Sequence, residues 1–146
     1  MLLTCMDFRL IDDVVYQLNN LNERNKYDEF ILAGSSLGYN TSLGYDSNGK
    51  QNTPYIAQDT WSNIFNTHID LAISLHKIKE VYIIDHLDCG AYKAWYGENI
   101  YNENKDQKHL DNLKISKQTI ETKYPDLSVR IFIMDLYGKL TEYDTP

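Results

Sequence analysis

The amino-acid sequence predicts a small α/β domain built on a mainly parallel sheet of about four strands, flanked by helices. Two observations carry this. Short apolar runs alternate along the chain with stretches of helical spacing, and a length of 146 residues accommodates one core of this kind but not two. Strands separated by helices imply βαβ crossovers and a sheet covered on both faces.

The elements follow in order. Met1 to Met6 opens with an apolar run, read as a buried strand. Arg9 to Leu21 places Leu10, Val14, Tyr16, Leu18 and Leu21 close to helical spacing. Asp28 to Ala33 reads as a second strand. Gly34 to Pro54, rich in Gly, Ser, Asn and Thr, reads as a long loop, a feature that is often functional. The clearest helix carries Trp61, Ile64, Phe65, His68, Leu71, Ala72 and Leu75 on one face, with Asp59 or Thr60 as its cap. Glu80 to Asp85 is a third strand, Cys89 to Tyr96 a short helix, Asp106 to Tyr124 a longer one, and Ser128 to Leu136 a fourth strand. There is no internal repeat.

Composition narrows the function. Lys and Arg number 14 against 21 Asp and Glu, a net charge of −7 with only three arginines, which argues against a nucleic-acid partner. No apolar stretch approaches the roughly 20 residues that span a bilayer. The opening MLLTCMDFRL lacks the basic start of a signal peptide. Two cysteines are too few for a disulfide scaffold, so a cytoplasmic, reducing compartment is expected.

Ligand sites in such sheets lie beyond the carboxyl ends of the strands, where the winding reverses. The first strand ends in Cys5-Met6-Asp7-Phe8-Arg9 and the third in Asp85-His86-Leu87-Asp88-Cys89-Gly90. If those strands are neighbours, Cys5, His86 and Cys89 can converge. Two thiolates and an imidazole form a three-ligand set for Zn²⁺ with a fourth position left for water, the open form of a catalytic site. Each residue alone has a plainer reading: a small core thiol, or a histidine satisfied at a loop edge. Asp7 and Arg9 can share one side of an extended segment and pair bidentately, or be a helix-terminal carboxylate and a surface arginine. His68, on the apolar face of its helix, is expected to be a packed or interface residue; His109 could shuttle protons if it neared the site, but is expected to be solvated.

Cys5-x-Asp7-x-Arg9 followed by His86-x-x-Cys89-Gly90 resembles the β-class carbonic anhydrases. Ala33-Gly34, Cys89-Gly90-Ala91 and the run Asp135 to Leu140 are similar to further stretches of that family, so the resemblance covers nearly all of residues 1–146, as one domain. It implies that Cys5, His86 and Cys89 hold zinc. Asp7 would orient a zinc-bound hydroxide, or bind the metal itself in a closed state, and Arg9 would fix Asp7. The activity implied is reversible hydration of CO₂ to bicarbonate and a proton, in a homodimer or higher homo-oligomer. Backbone N–H groups of Gly34 and Ser35 are candidates to bind a substrate oxygen.

The sequence departs from the family pattern in places. It opens at the Cys-x-Asp-x-Arg strand, where the family carries a helical arm that wraps the partner subunit, so a short member without the arm is expected. Phe8 stands where a small serine is common, and Asp88 adds a carboxylate beside the ligands. The loop of residues 39–54 is expected to supply pocket wall, with Leu37, Tyr39 and Tyr45 as candidate contacts. Two other activities stay open: hydrolysis of carbonyl sulfide or carbon disulfide with the same ligands, and a metal-bound relative with little catalysis, such as a scaffold or thiol sensor. Gly34-Ser-Ser-Leu-Gly38 lacks the Lys-Ser/Thr of a P-loop and the spacing of a dinucleotide site.

Overall fold

A computed structural model describes residues 1–44, 48, 50, 57, 59–101 and 106–143. It contains β1 (Leu2–Cys5), α1 (Ile11–Asn20), β2 (Glu29–Leu32), α2 (Ser36–Thr41), α3 (Thr60–His76), β3 (Glu80–His86), α4 (Gly90–Tyr96), α5 (Gln107–Lys123), β4 (Ser128–Met134) and β5 (Leu140–Glu142). The strands form one sheet in the order β2-β1-β3-β4-β5. The first four are parallel, with Thr4 opposite Ile84 and His86 opposite Met134; β5 runs antiparallel to β4. β1 therefore lies between β2 and β3, and the winding reverses at the β1–β3 seam.

Strand periodicity decides the two halves of the core. Val81, Ile83, Val129, Ile131 and Ile133 face one way and pack with Phe65, Ile69 and Ala72 of α3 and Leu113 and Ile120 of α5. Leu2, Tyr82, Ile84, Phe132 and Met134 face the other way, against Leu10 and the α1 residues Val14 and Leu18. Helices thus cover both faces, the α/β architecture the alternation predicts.

Three local readings change. The segment read as a loop from Gly34 opens with α2, a short helix hidden by its Ser, Gly, Asn and Thr content. It fits because Gly38 has no side chain: a Cβ there would meet the Ala33 carbonyl oxygen at 2.4 Å. A fifth strand, Leu140–Glu142, joins the sheet, too short for periodicity to reveal. On α3 the buried stripe is Phe65, Ile69 and Ala72, while Ile64, Leu71 and Leu75 are exposed, so the apolar face is turned from the one the spacing suggests. His68 stands at the exposed rim of that helix, edge-on to Phe30 with ring centroids 4.7 Å apart. Among the described residues no helix is long and apolar enough to cross a membrane.

Candidate metal centre

The seam between β1 and β3 brings the predicted residues together. Cys5 closes β1 and His86 closes β3. Leu87 and Asp88 make a turn, Asp88 with a left-handed φ of 59°, and Cys89 caps α4 from an extended conformation. The His-x-x-Cys spacing is thus a strand end, a two-residue turn and a helix cap, which returns Cys89 to the edge that His86 occupies.

The sulfurs of Cys5 and Cys89 are 3.9 Å apart, thiols and not a disulfide. The ligand atoms of Cys5, His86 and Cys89 all lie within 4.8 Å of one another. His86 is buried, and its Nδ1 stands 2.9 Å from the Leu87 carbonyl oxygen. A proton on Nδ1 donated to that carbonyl leaves Nε2 with its lone pair toward the sulfurs. Among the described residues Nε2 is buried without a hydrogen-bond partner. Two thiolates on a tetrahedral zinc, at the usual bond length of about 2.3 Å, would be separated by about 3.8 Å. The sulfur separation and the orphaned imidazole nitrogen both fit that ion.

The electrostatics agree. The Cys5 thiol is held well below its ordinary range, chiefly by the hydrogen bond from Cys89, against its own burial and with help from His86. The Cys89 thiol is pushed up by the same hydrogen bond and by burial. As a pair, the thiols give up one proton readily and share the other, a proton that a dication would replace. Gly34 N–H donates to Cys5 Sγ at 3.3 Å and adds to the stabilisation of the thiolate.

Asp7 stands beside this cluster, Oδ2 3.8 Å from His86 Nε2. Arg9 grips it on both oxygens: backbone N and Nε donate to Oδ1 at 3.1 and 2.9 Å, and Nη2 donates to Oδ2 at 2.6 Å. These bonds hold the carboxyl down to about 2. Asp88 holds Arg9 from the other side through Oδ2 and its carbonyl oxygen, and Lys93 pairs with Asp88 in turn. The extra carboxylate of the sequence is therefore tied to the arginine. The cluster opens into a cleft of about 730 Å³ walled by Met6, Phe8, Gly34, Leu43 and Ala91 among others.

The substrate-binding role expected of Gly34 and Ser35 meets a different arrangement. Gly34 N–H is committed to Cys5 Sγ, Ser35 N–H donates to the Leu32 carbonyl oxygen, and the Ser35 side chain is fully buried. Leu37 and Tyr39 are core residues; Tyr45 and most of the loop of residues 45–58 lie outside the described residues. His109 is buried, not solvated, with Nδ1 3.0 Å from Asp85 Oδ2. Asp85, Ser36 and Tyr92, which no sequence motif singles out, join His109 in a buried polar cluster. The available signal was a carboxylate closing the apolar run Val81-Tyr-Ile-Ile84, where a charge needs partners.

The fold and the Cys-His-Cys group define a protein of the β-carbonic anhydrase fold. Its structural neighbours include a tetrameric β-carbonic anhydrase of the filamentous ascomycete Sordaria macrospora (TM-score 0.54, 12% identity, 99% of this chain and 79% of that one). Another is the β-carbonic anhydrase CafA of the fungal pathogen Aspergillus fumigatus (TM-score 0.50, 16% identity, 99% and 76%). No family model matches the sequence. By sequence the chain belongs to one family with the uncharacterized protein RC0076 of Rickettsia conorii, 30% identical over 150 residues that cover all of this chain and 73% of that protein. An uncharacterized protein of Rickettsia bellii is 29% identical over 144 residues, 97% of this chain and 79% of its own length.

Proposed function

We propose that the protein is a zinc-dependent carbonic anhydrase that interconverts CO₂ and bicarbonate. The observation that carries this reading is the juxtaposition of two thiols 3.9 Å apart and a buried, unpartnered imidazole nitrogen with an aspartate held on both oxygens by arginine. Cys5, His86 and Cys89 would hold the ion, and Asp7 and Arg9 act in catalysis. Zinc, when bound, supplies Lewis-acid activation of water near neutral pH. Asp7, ionised and accepting only, takes a hydrogen bond from the attacking nucleophile and aims its lone pair at the substrate carbon. Arg9 keeps Asp7 turned in that role and away from the metal position. Met6, Phe8, Leu43 and Ala91 present an apolar wall that suits a small uncharged substrate.

The reading extends to assembly and location. Met6, Phe8 and Ile11 are 67%, 82% and 62% exposed, a run of large apolar side chains beside the cleft that a second copy of the chain would cover. A homo-oligomer is therefore part of the proposal, as is a cytoplasmic site, where thiol ligands stay reduced. Metal analysis coupled to a CO₂ hydration assay tests the function. About one zinc per chain with hydration activity is the expected result. Zinc with hydrolysis of carbonyl sulfide or carbon disulfide instead moves the substrate, zinc without turnover reduces the protein to a metal-binding relative, and protein that takes up no zinc rejects the reading.

A further inference from the structure

The buried cluster around Asp85 lies directly behind the centre. Asp85 is 1% exposed, and Ser36, Tyr92 and His109 are fully buried. One carboxylate receives four hydrogen-bonding groups: Ser36 N–H on Oδ1 at 3.0 Å, and on Oδ2 Ser36 Oγ at 2.7 Å, Tyr92 OH at 2.6 Å and His109 Nδ1 at 3.0 Å. The Tyr92 and His109 rings are in contact, tilted by 33° with centroids 3.8 Å apart. Burial holds the Tyr92 phenol well above its ordinary pKa, so the hydroxyl stays a donor. An apolar side chain would fill this position without the desolvation penalty of a buried carboxylate, so what the carboxylate ties together is informative.

It ties together the segments that carry the three proposed ligands. Asp85 immediately precedes His86, and strand alternation sends their side chains to opposite faces. Ser36 lies two residues after Gly34, whose N–H reaches Cys5 Sγ. Tyr92 lies one helical turn after Cys89. The turn at Gly34 also rests on α4, since a Cβ on Gly34 would stand 3.0 Å from that of Ala91. We infer that Asp85 is a positioning residue for the Cys5-His86-Cys89 centre: its carboxylate locks the N-terminus of α2 and the first turn of α4 against the end of β3, with His109 of α5 as backing. This rests on the zinc reading above. Asp85 touches neither metal nor substrate; it fixes the distances at which the three ligand atoms meet.

The test uses the full chain with zinc, and with cobalt(II) as a spectroscopic substitute. Tyr92→Phe removes one donor and keeps the ring against His109; Asp85→Asn keeps the shape and removes the charge. Ile69→Ala, on the core-facing side of α3, is the control for loss of stability alone. Chelator competition should show zinc binding about 10- to 100-fold weaker in both cluster variants. Their cobalt–thiolate absorption bands should shift, while Ile69→Ala lowers the melting temperature and leaves zinc affinity and the cobalt spectrum as in wild type. Should Asp85→Asn fail to fold, Tyr92→Phe decides. Wild-type zinc affinity and cobalt bands in Tyr92→Phe would overturn the inference, as would an equal loss of zinc in Ile69→Ala. A wild-type chain that binds no zinc fails earlier, at the metal reading, and takes the inference with it.

Discussion

Asp7→Asn separates the metal from the chemistry. Oδ1 of Asp7 accepts two N–H groups of Arg9, and Oδ2 accepts one while facing His86 Nε2 at 3.8 Å. An asparagine keeps its single oxygen where two donors point, so its NH₂ takes the Oδ2 position. There it meets the Arg9 Nη2 donor, formerly 2.6 Å from an acceptor, and turns a donor toward the reacting position. The variant loses one charge-assisted bond and the acceptor proposed to orient the nucleophile. Asp7 also caps the single 3-10 turn Phe8–Leu10, and that cap survives, because Asn caps as well as Asp and the Arg9 N–H keeps its oxygen. The Arg9 side chain is 39% exposed, so water screens the pair and the stability cost stays at about 1 kcal/mol or less. Turnover should fall by about 10²- to 10³-fold, the scale for losing one well-placed polar group at a reacting centre. Stopped-flow CO₂ hydration alongside zinc content measures both. Zinc retained at one per chain with turnover down is the expected result; hydration within a few-fold of wild type would refute the orienting role of Asp7.

Other perturbations read other parts of the structure. Cys89→Ser should lose zinc and activity together, and chelation of the wild-type protein should lower its melting temperature by about 5–10 °C if zinc stood near a hundred times its dissociation constant, as differential scanning calorimetry can check. Gly38→Ala should destabilise by about 1–3 kcal/mol, because the new Cβ meets the Ala33 carbonyl at 2.4 Å, although alanine is the better helix former; a more stable variant in urea titration would contradict the packing of α2. Glu142→Gln removes a bidentate partner of Arg130, which holds the Glu142 carboxyl below its ordinary 4.5. Because the folded value is depressed, the pair's contribution, under about 1 kcal/mol at this exposed site, is present above pH 4.5 and lost as pH falls through the folded value. The melting-temperature gap between wild type and variant should therefore be largest near neutral pH and close by about pH 3.

The residues that end strands were legible because chemistry and position coincided. Cysteine is scarce in this chain, and both copies sit where β1 ends and α4 begins. Buried strands were legible as apolar runs, since parallel strands covered on both faces carry no polar alternation. Helix α2 was not, because it is held by the Asp85 carboxylate on Ser36 N–H and by the fit of Gly38 against the Trp61 ring, contacts with residues distant in sequence. The buried face of α3 departs from its spacing for a related reason. Ile64, Leu71 and Leu75 have helical spacing too, and only the position of the sheet chooses Phe65, Ile69 and Ala72 instead. Average behaviour predicts a solvated His109, and a partner 24 residues away overrides it.

The two motifs of the sequence also act on one another through Asp88. A left-handed φ at a residue with a Cβ is a strained way to turn a chain, and glycine would make the turn at less cost. Asp88 uses the position twice. Its backbone bends the chain so that Cys89 returns to the edge of His86, and its carbonyl and carboxylate accept two N–H groups of Arg9. The guanidinium is thereby held between Asp7 of the first motif and Asp88 of the second. Nε and Nη2 serve Asp7 while Nη1 and Nη2 serve Asp88, so the side chain bridges the two motifs. Arg9 thus links the proposed catalytic carboxylate to the turn between two proposed ligands, while the ligand atoms themselves rest on their strand ends and on the Asp85 cluster, so a change at Asp7 is expected to lower turnover and leave zinc in place.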